Sequence, residues 1–346
     1  MSMGRGSPRS VALVFACALL VAGCASAEAP GPGASEASPP PAPTSTSTPQ
    51  DPVEAEIPVG GEPIGIASGE GSLWVVNSEF ESGGLGSVSR IDPGTNEVVA
   101  TIEVGGVPLE VAVGEGSVWV SNADDDTVSR IDPSSNEVVA TIETCAAPEG
   151  IAIGDGSVWV ACEDDGVVGR IDPDRDRMIE TIEVGLQPRF AAFAFGSVWV
   201  SNYLQGGITR IDPATGKVVA EVEVAQGPQI MIEESGTLWV SCTDADVVQR
   251  IDPETNEVIA EIATPVAPDG LASDSTGFIV WVATEIGPEL VGIDIPDNAI
   301  IAEGEIAEEG AINANQLVVF ESNSLWLPIL GRGVVLRVTP LATTVE

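Results

Sequence analysis

The stretch GSVWVSNADDDTVSRIDPSSNEVVATIETCAAPEGIAIGDGSVWV, residues 116–160, begins and ends with the same five residues, which lie 40 positions apart. Trp119 and Trp159 stand in these two frames. The other tryptophans of the chain have similar neighbours and are Trp74, Trp199, Trp239, Trp281 and Trp326. Successive tryptophans are separated by 45, 40, 40, 40, 42 and 45 residues. One aromatic residue in each period of this length is typical of a repeat architecture.

Each repeat contains four short segments rich in valine and isoleucine, with turn residues between them. In the third repeat these segments are 149–153, 157–161, 167–171 and 178–184. The turn between the last two begins with Asp172-Pro173, and a type I turn prefers Asp at its first position and Pro at its second. Four short strands without helical periodicity predict one blade of a β-propeller.

The Asp-Pro turn recurs, and an arginine stands two residues before its Asp in five repeats: Arg90, Arg130, Arg170, Arg210 and Arg250. Arginine and Asp at i and i+2 share one face of a strand. A single ligand cannot contact an arginine from every blade. We therefore interpret these arginines as part of the scaffold.

The two ends of the chain predict how the ring closes. The seventh repeat stops soon after the segment 334–338 and lacks a fourth strand. The segment 53–60, which precedes the first repeat, matches that missing strand. We therefore expect an all-β, seven-bladed propeller of four-stranded blades over residues 52–340, in which the N-terminal strand completes the last blade and removes an open sheet edge.

The N-terminal region carries a targeting signal. Arg5 and Arg9 precede an apolar run that ends at Gly23, as in a secretory signal peptide over residues 1–23. Small residues followed by Cys24 resemble a bacterial lipobox, which predicts lipid attachment to Cys24, membrane association through that lipid and an extracytoplasmic location in the cell envelope. The alternative is an ordinary signal peptide with a chance cysteine. Residues 24–51, rich in Pro, Ser and Ala, are predicted to form a disordered linker.

Composition excludes several classes of function. The chain has 53 acidic and 13 basic residues, for a formal net charge of −40, so nucleic acid is a poor partner. This acidity fits solubility, a saline habitat or a calcium-rich surface. The chain contains no histidine, which excludes Ser-His-Asp and Cys-His catalysis and histidine-ligated metals.

The repeated pattern P-x-G-I-A, G-S-V-W-V-S-N and V-x-R-I-D-P-x-T-N-E-V-V-A-T-I-x-V-G resembles the YVTN-repeat β-propellers, with Trp in place of the first Tyr. It is also similar to the streptogramin lyase group of seven-bladed propellers, and the resemblance covers residues 53–338. That resemblance implies a lyase that uses a histidine and magnesium, and this chain has no histidine to take that role. We therefore expect a binding module for a ligand or protein, with a metal-dependent lyase or hydrolase as the alternative.

Propeller geometry predicts where a ligand site lies. The start of each inner strand and the loop after each tryptophan strand should open onto the same face. After the inner-strand proline the repeats differ most: Ile64, Leu109, Glu149, Arg189, Gln229, Asp269 and, in the last repeat, Gln316. The predicted ligand-binding residues are Glu149, Arg189, Phe190, Asn202, Tyr203, Gln229 and Asp269.

The alternative is that these residues form a solvated rim. Arg189 is the only cation of its ring, so it predicts an anionic or polar ligand group, beside a stacking wall of Phe190 and Tyr203.

Acidic loops and cysteines complete the set of candidates. The loops at 124–126, 163–165 and 244–246 offer oxygen ligands for calcium, although none has EF-hand spacing and solvated loops are the simpler interpretation. We predict no cofactor, with calcium or magnesium as the alternative. Cys145 and Cys162 are the expected disulfide in an oxidising compartment, and Cys242 is expected to be free.

Overall fold

The computed structural model describes residues 52–80, 84–274, 276–286, 289–306, 319–321 and 324–343. Within these residues, 28 strands form seven antiparallel sheets of four strands, which confirms the predicted seven-bladed propeller. Two short 3₁₀ helices follow second strands, at Thr243–Ala245 and Leu330–Arg332. The described chain includes no helix with the length and apolar character needed to cross a membrane. The predicted signal peptide, Cys24 and the linker lie outside the described residues.

The strands are numbered β1 to β28 in chain order. The inner strands are β2 (Glu62–Gly69), β6 (Pro108–Gly114), β10 (Pro148–Gly154), β14 (Pro188–Ala194), β18 (Pro228–Glu234), β22 (Pro268–Ser273) and β26 (Val319–Glu321). The second strands are β3 (Ser72–Ser78), β7 (Ser117–Asn122), β11 (Ser157–Cys162), β15 (Ser197–Asn202), β19 (Thr237–Cys242), β23 (Ile279–Thr284) and β27 (Ser324–Ile329).

The third strands are β4 (Leu85–Asp92), β8 (Thr127–Asp132), β12 (Val167–Asp172), β16 (Gly207–Asp212), β20 (Val247–Asp252), β24 (Glu289–Asp294) and β28 (Val334–Val338). The outer strands are β5 (Glu97–Gly106), β9 (Glu137–Glu143), β13 (Arg177–Glu183), β17 (Lys217–Glu223), β21 (Glu257–Ala263), β25 (Ala299–Glu305) and β1 (Val53–Pro58).

The core lies between successive blades. A second strand such as β11 is buried along its whole length, because neighbouring blades cover both of its faces. All seven tryptophans are at most 1% exposed. Trp74 of the first blade packs in one cluster with Val111, Val118 and Val120 of the second. The outer strand β9 instead alternates between exposed and covered residues.

The repeated arginines join one blade to the next. The Arg90 guanidinium lies 4.8 Å from the ring centroid of Trp74, and its Nε donates to the Ser72 hydroxyl at 2.8 Å. Its Nη1 donates to the Pro133 carbonyl at 2.6 Å and to Oδ1 of Asn136 at 2.8 Å, both in the Asp-Pro turn of the second blade. The arginine therefore reaches the turn of the next blade, which explains why the arginine, the serine before the tryptophan and the turn recur together.

The ring closes as predicted from the sequence. β1 pairs antiparallel with β28, so the last sheet has the order β1-β28-β27-β26. Arg337 of β28 stacks on Trp326 and donates to the Pro93 carbonyl and the Asn96 side chain of the first blade. Strand exchange and the arginine contact both fasten the last blade to the first.

Candidate functional site

One end of each blade is held together by a backbone hydrogen bond. In five blades the residue before the inner-strand proline adopts a left-handed φ, and its carbonyl accepts an N–H from the residue that follows the second strand. The donor and acceptor pairs are Ala123–Val107, Glu163–Ala147, Tyr203–Gln187, Thr243–Gly227 and Glu285–Ala267. These bonds place the inner-strand starts and the second-strand loops at the same end, as propeller geometry predicts.

Arg189 lies at the centre of the polar contacts at this end. Its Nη2 is 3.5 Å from Oε1 of Glu163, which comes from the loop of the preceding blade. The guanidinium carbon lies 4.0 Å from the centroid of the Tyr203 ring, within cation–π range. The Tyr203 hydroxyl donates to Oδ1 of Asp244 at 2.9 Å. Blades three, four and five thus contribute to one set of contacts.

Three buried carboxyl groups interact with this arginine or with one another. Burial raises the pKa of Glu149 to about 8, although the charge of Arg189 opposes the shift. Burial raises the pKa of Asp269 to about 7, with Glu285 adding to the shift and Arg189 opposing it. Burial raises the pKa of Glu110 to about 8, a hydrogen bond from the Val111 N–H opposes this shift, and the charge of Asp269 adds to it.

We call this group the acidic cluster and define it by eight residues: Glu110, Glu149, Glu163, Arg189, Tyr203, Asp244, Asp269 and Glu285. Burial also raises the pKa of Glu285, and Arg189 opposes that shift. The cluster draws on five successive blades, the second to the sixth, and it contains six carboxyl groups and one cation.

Asp269 differs from the other carboxylates in its hydrogen bonding. It is 2% exposed, and both of its carboxylate oxygens are buried without a hydrogen-bond partner. The Nε of Arg189 is also buried and unpartnered. Buried polar atoms normally have partners, and leaving them without one costs free energy. The cluster therefore presents unused hydrogen-bonding capacity at Asp269 and Arg189.

The structure brings four of the predicted site residues into the cluster: Glu149, Arg189, Tyr203 and Asp269. Gln229 is buried at the corresponding position of β18. Phe190 instead packs partly buried against two hydrophobic clusters, which contain Ile230 and Met231. Asn202 accepts the Gly185 N–H and donates to the Thr209 hydroxyl. Phe190 and Asn202 therefore have structural contacts, and Gln316 lies outside the described residues.

The sequence-based prediction missed Glu110 because it used only the residue directly after each inner-strand proline, and Glu110 lies one position further along. The second repeat reads Pro108-Leu109-Glu110, whereas the third reads Pro-Glu-Gly. The register is irregular after the inner-strand proline in the first six blades, and the second residue after the proline is buried in five of them. Glu110 is 2% exposed and Leu109 is only partly buried. A carboxylate at a position occupied by Gly65 and Gly150 in other repeats was the available signal.

The acidic loops have other contacts. Asp125 accepts the Gly106 N–H at 2.7 Å, and Asp126 accepts the Ala147 N–H at 2.9 Å. Asp165 and Asp246 accept backbone N–H groups in the same way. Among the residues that the structure describes, no group of three or more Asp, Glu or Cys side chains is arranged to hold a metal ion. The donor set does not fit the histidine and magnesium site that the lyase resemblance implies.

The cysteines lie beside the cluster. Cys145 and Cys162 form a disulfide, the pairing expected from the sequence, and Cys242 is free and buried. Cys162 ends β11 and precedes Glu163, so the disulfide anchors the strand end that carries the ion-pair partner of Arg189.

Comparison with known proteins supports the fold. No protein-family profile matches the chain, and no curated protein matches it. Streptogramin B lyase is 17% identical over 83% of this chain and 97% of its own, with a TM-score of 0.70. Virginiamycin B lyase from Staphylococcus aureus is 16% identical over 83% and 99% of the two chains, with a TM-score of 0.69.

Hydrazine synthase from Kuenenia stuttgartiensis is also similar, with 16% identity over 81% of this chain and 96% of that chain and a TM-score of 0.69. Proteins with different names thus share this architecture, and one fold hosts many activities. At these identities the similarity concerns the fold, and this chain is a seven-bladed β-propeller of the architecture found in streptogramin B lyase.

Proposed function

We propose that this chain is a lipid-anchored protein of the bacterial cell envelope whose propeller binds a small molecule at the acidic cluster. The signal peptide over residues 1–23, the lipobox cysteine Cys24 and the linker over 24–51 support the anchored location. The net charge of −40 disfavours nucleic acid as a partner.

The observation that carries the binding role is the buried, unpartnered carboxylate of Asp269. The repeated tryptophans, arginines and Asp-Pro turns supply the contacts that hold the ring together. The acidic cluster is not repeated from blade to blade, and it buries carboxylates in a way that disfavours the folded state. Such an arrangement at one end of the inner strands is typical of a ligand site. A small molecule fits better than a protein surface, because Asp269 and Glu110 are each only 2% exposed.

A single reporter tests this proposal. Tyr203 is the only tyrosine of the chain, so incorporation of 3-fluorotyrosine places one ¹⁹F nucleus in the acidic cluster. The labelled protein is screened against a library of amines, carboxylates, sugars and neutral amides. We expect at least one compound to shift the ¹⁹F resonance saturably in the wild type, and Asp269→Asn to weaken that response. A library without a saturable shift, or an Asp269→Asn variant that responds like the wild type, contradicts the proposal.

The enzymatic alternative has less support. A metal-dependent lyase or hydrolase requires several ligands converging on one ion, and the described residues contain no such group. Turnover of a ligand found in the screen, dependent on added magnesium or calcium, would favour that alternative.

A further inference from the structure

The charge balance of the acidic cluster indicates the chemistry of its ligand. The cluster contains six carboxyl groups and one cation, Arg189. Glu163 lies within ion-pair distance of Arg189, and the charges of Glu149, Asp269 and Glu285 also interact with it. An anionic group entering the cluster would meet these carboxylates as well as the arginine. A positively charged group would meet mainly opposite charge, which favours its binding.

We propose that the acidic cluster binds the ammonium or guanidinium group of an amphiphilic organic cation. This inference rests on the proposed function and specifies the ligand class of the same site. It replaces the sequence-based expectation of an anionic ligand group, which depended on Arg189 alone. The ligand N–H groups donate to Asp269, which satisfies carboxylate oxygens that have no donor within the protein.

Exposed apolar side chains in the loops beside the cluster explain why the cation is expected to carry an alkyl or aryl group. Four large apolar side chains there are 55–64% exposed: Leu186, Leu204, Val266 and Ile286. Leu186 precedes Gln187 and Leu204 follows Tyr203, and the Tyr203 N–H donates to the Gln187 carbonyl at 2.9 Å. Val266 precedes Ala267 and Ile286 follows Glu285, and the Glu285 N–H donates to the Ala267 carbonyl at 2.8 Å.

An alkyl or aryl group extending from the cation can therefore cover these side chains and remove apolar surface from water. A bare metal ion would leave them exposed. It would also need several oxygen ligands around one point, an arrangement absent from the described residues.

Binding of such a cation depends on pH in a defined direction. Five carboxyl groups face Asp269 or its neighbours from the strands and loops packed against it. They belong to Glu110 on β6, Glu149 on β10, Glu163 after β11, Asp244 after β19 and Glu285 after β23. Tyr203 and Arg189 are the remaining titratable members of the cluster. As pH rises from 6 to 9, the buried carboxyl groups lose protons while an alkylammonium stays charged, since its pKa is about 10. Affinity therefore increases with pH.

Three probes of equal length separate the possibilities: hexylamine, hexanoate and 1-hexanol. Each is titrated into 3-fluorotyrosine protein at pH 8, with ¹⁹F NMR at Tyr203 and calorimetry as readouts. We expect saturable binding of hexylamine, weaker binding of 1-hexanol and the weakest binding of hexanoate. Propylamine should bind less tightly than hexylamine, because it covers less apolar surface. Calcium chloride at the same concentration should not compete.

Matched variants connect binding to the named residues. Asp269→Asn should weaken hexylamine binding by at least about tenfold, as loss of a charge-assisted hydrogen bond does. Glu285→Gln is a second carboxyl variant, at a residue that is less buried, in case Asp269→Asn does not fold. Leu204→Ser should weaken hexylamine more than propylamine. Glu137→Gln, on the exposed outer strand β9, is the charge-matched control and should leave binding unchanged.

The outcomes separate this inference from the proposed function. Preferred binding of hexanoate, or hexylamine binding that is insensitive to both carboxyl variants, overturns the cationic ligand class. The same holds if hexylamine gives no saturable binding. If the compound screen still finds another ligand that depends on Asp269, the proposed function stands and only the ligand class fails. Calcium binding that displaces hexylamine would point to a metal site instead.

Discussion

Tryptophan and arginine act as a pair in this propeller. Trp159 packs against the fourth blade, in a cluster with Val198 and Val200, and the Arg170 guanidinium lies 4.7 Å from its ring centroid. Arg170 continues to the next blade, where it donates to the Pro213 carbonyl. The sixth blade lacks this pair, since Gly292 stands opposite Trp281. The paired residues thus carry hydrophobic and polar contacts across the same blade interface.

Loss of one ring tests this packing. Trp159→Ala should lower the free energy of unfolding by about 3–5 kcal/mol, because it removes a fully buried aromatic side chain and leaves a cavity. Urea titration measures the change. Val139→Ala, at an exposed position of β9, is the control and should change stability by less than about 0.5 kcal/mol. A loss below about 1 kcal/mol for Trp159→Ala would contradict the core role of the ring.

The buried carboxyl groups predict how stability depends on pH. Glu110 titrates near pH 4.3 in an unfolded chain and at about 8 in the folded protein, so the folded state holds the proton more tightly. Its contribution to stability is fully present below the lower value and is lost as pH rises toward the higher one. As pH rises through that window, each such group lowers the free energy of unfolding by up to about 1.4 kcal/mol per pH unit, because the unfolded chain releases the proton more readily.

Glu110→Gln should therefore flatten the pH dependence of stability between pH 5 and 8, while its side-chain oxygen still accepts the Val111 N–H. Urea unfolding at four pH values measures the slope for the wild type, for Glu110→Gln and for the exposed control Glu137→Gln. Parallel slopes for all three proteins would show that Glu110 is not held in its neutral form.

At the scale of elements, the N-terminal strand is the one that closes the ring. β1 supplies the outer strand of the last blade and pairs with β28 from Val53 to Pro58. Ile57 and Val59 pack in a cluster with Trp326 of the last blade and Ile66 of the first. Without β1, β28 would have unpaired backbone groups along one edge, and an exposed edge templates association.

Deletion of residues 53–60 tests this closure. We expect the variant to melt at a lower temperature and to form aggregates, as seen by calorimetry and size-exclusion chromatography. Deletion of residues 30–37, an equal length within the predicted linker, is the control and should leave melting unchanged. A monomeric 53–60 deletion with the wild-type melting curve would exclude a closing role for β1.

At the scale of the whole molecule, the residues that recur among the repeats and the residues that differ between them serve different roles. The residues that recur from repeat to repeat hold successive blades together, and the acidic cluster collects residues that differ between repeats. A formal net charge of −40 makes the environment of Arg189 acidic at long range as well as locally. We therefore expect the scaffold to tolerate substitutions in the cluster better than substitutions in the tryptophan and arginine pairs.

The predicted anchor concerns the location of the whole molecule. Cys24→Ser should abolish lipid attachment and move the protein from the membrane fraction to the soluble or secreted fraction. Metabolic labelling with an alkyne analogue of palmitate, followed by fractionation, measures both effects. Ser26 lies two residues further along and has no thiol to accept the lipid, so Ser26→Ala is the control and should keep the label. Label that persists on Cys24→Ser would contradict the lipobox interpretation.

The amino-acid sequence by itself determined the seven blades, their four-stranded pattern and the closure by β1. These features follow from local information: a fixed spacing of tryptophans, turns at Asp-Pro and one missing strand at the C-terminal end. It also indicated Glu149, Arg189 and Asp269, because they differ between repeats at the position after the inner-strand proline, and Tyr203, in the loop after the second strand of the fourth blade.

Only the tertiary structure decided which charged groups share one site. Glu110, Glu163, Asp244 and Glu285 belong to different blades, and they meet because the ring brings the same end of each blade together. Glu110 takes the second position after Pro108 and is buried there, whereas Leu109 at the first position is partly exposed. Burial and the charges of groups in the same and in other blades set the pKa of each carboxyl group, and both depend on how the blades pack around the ring.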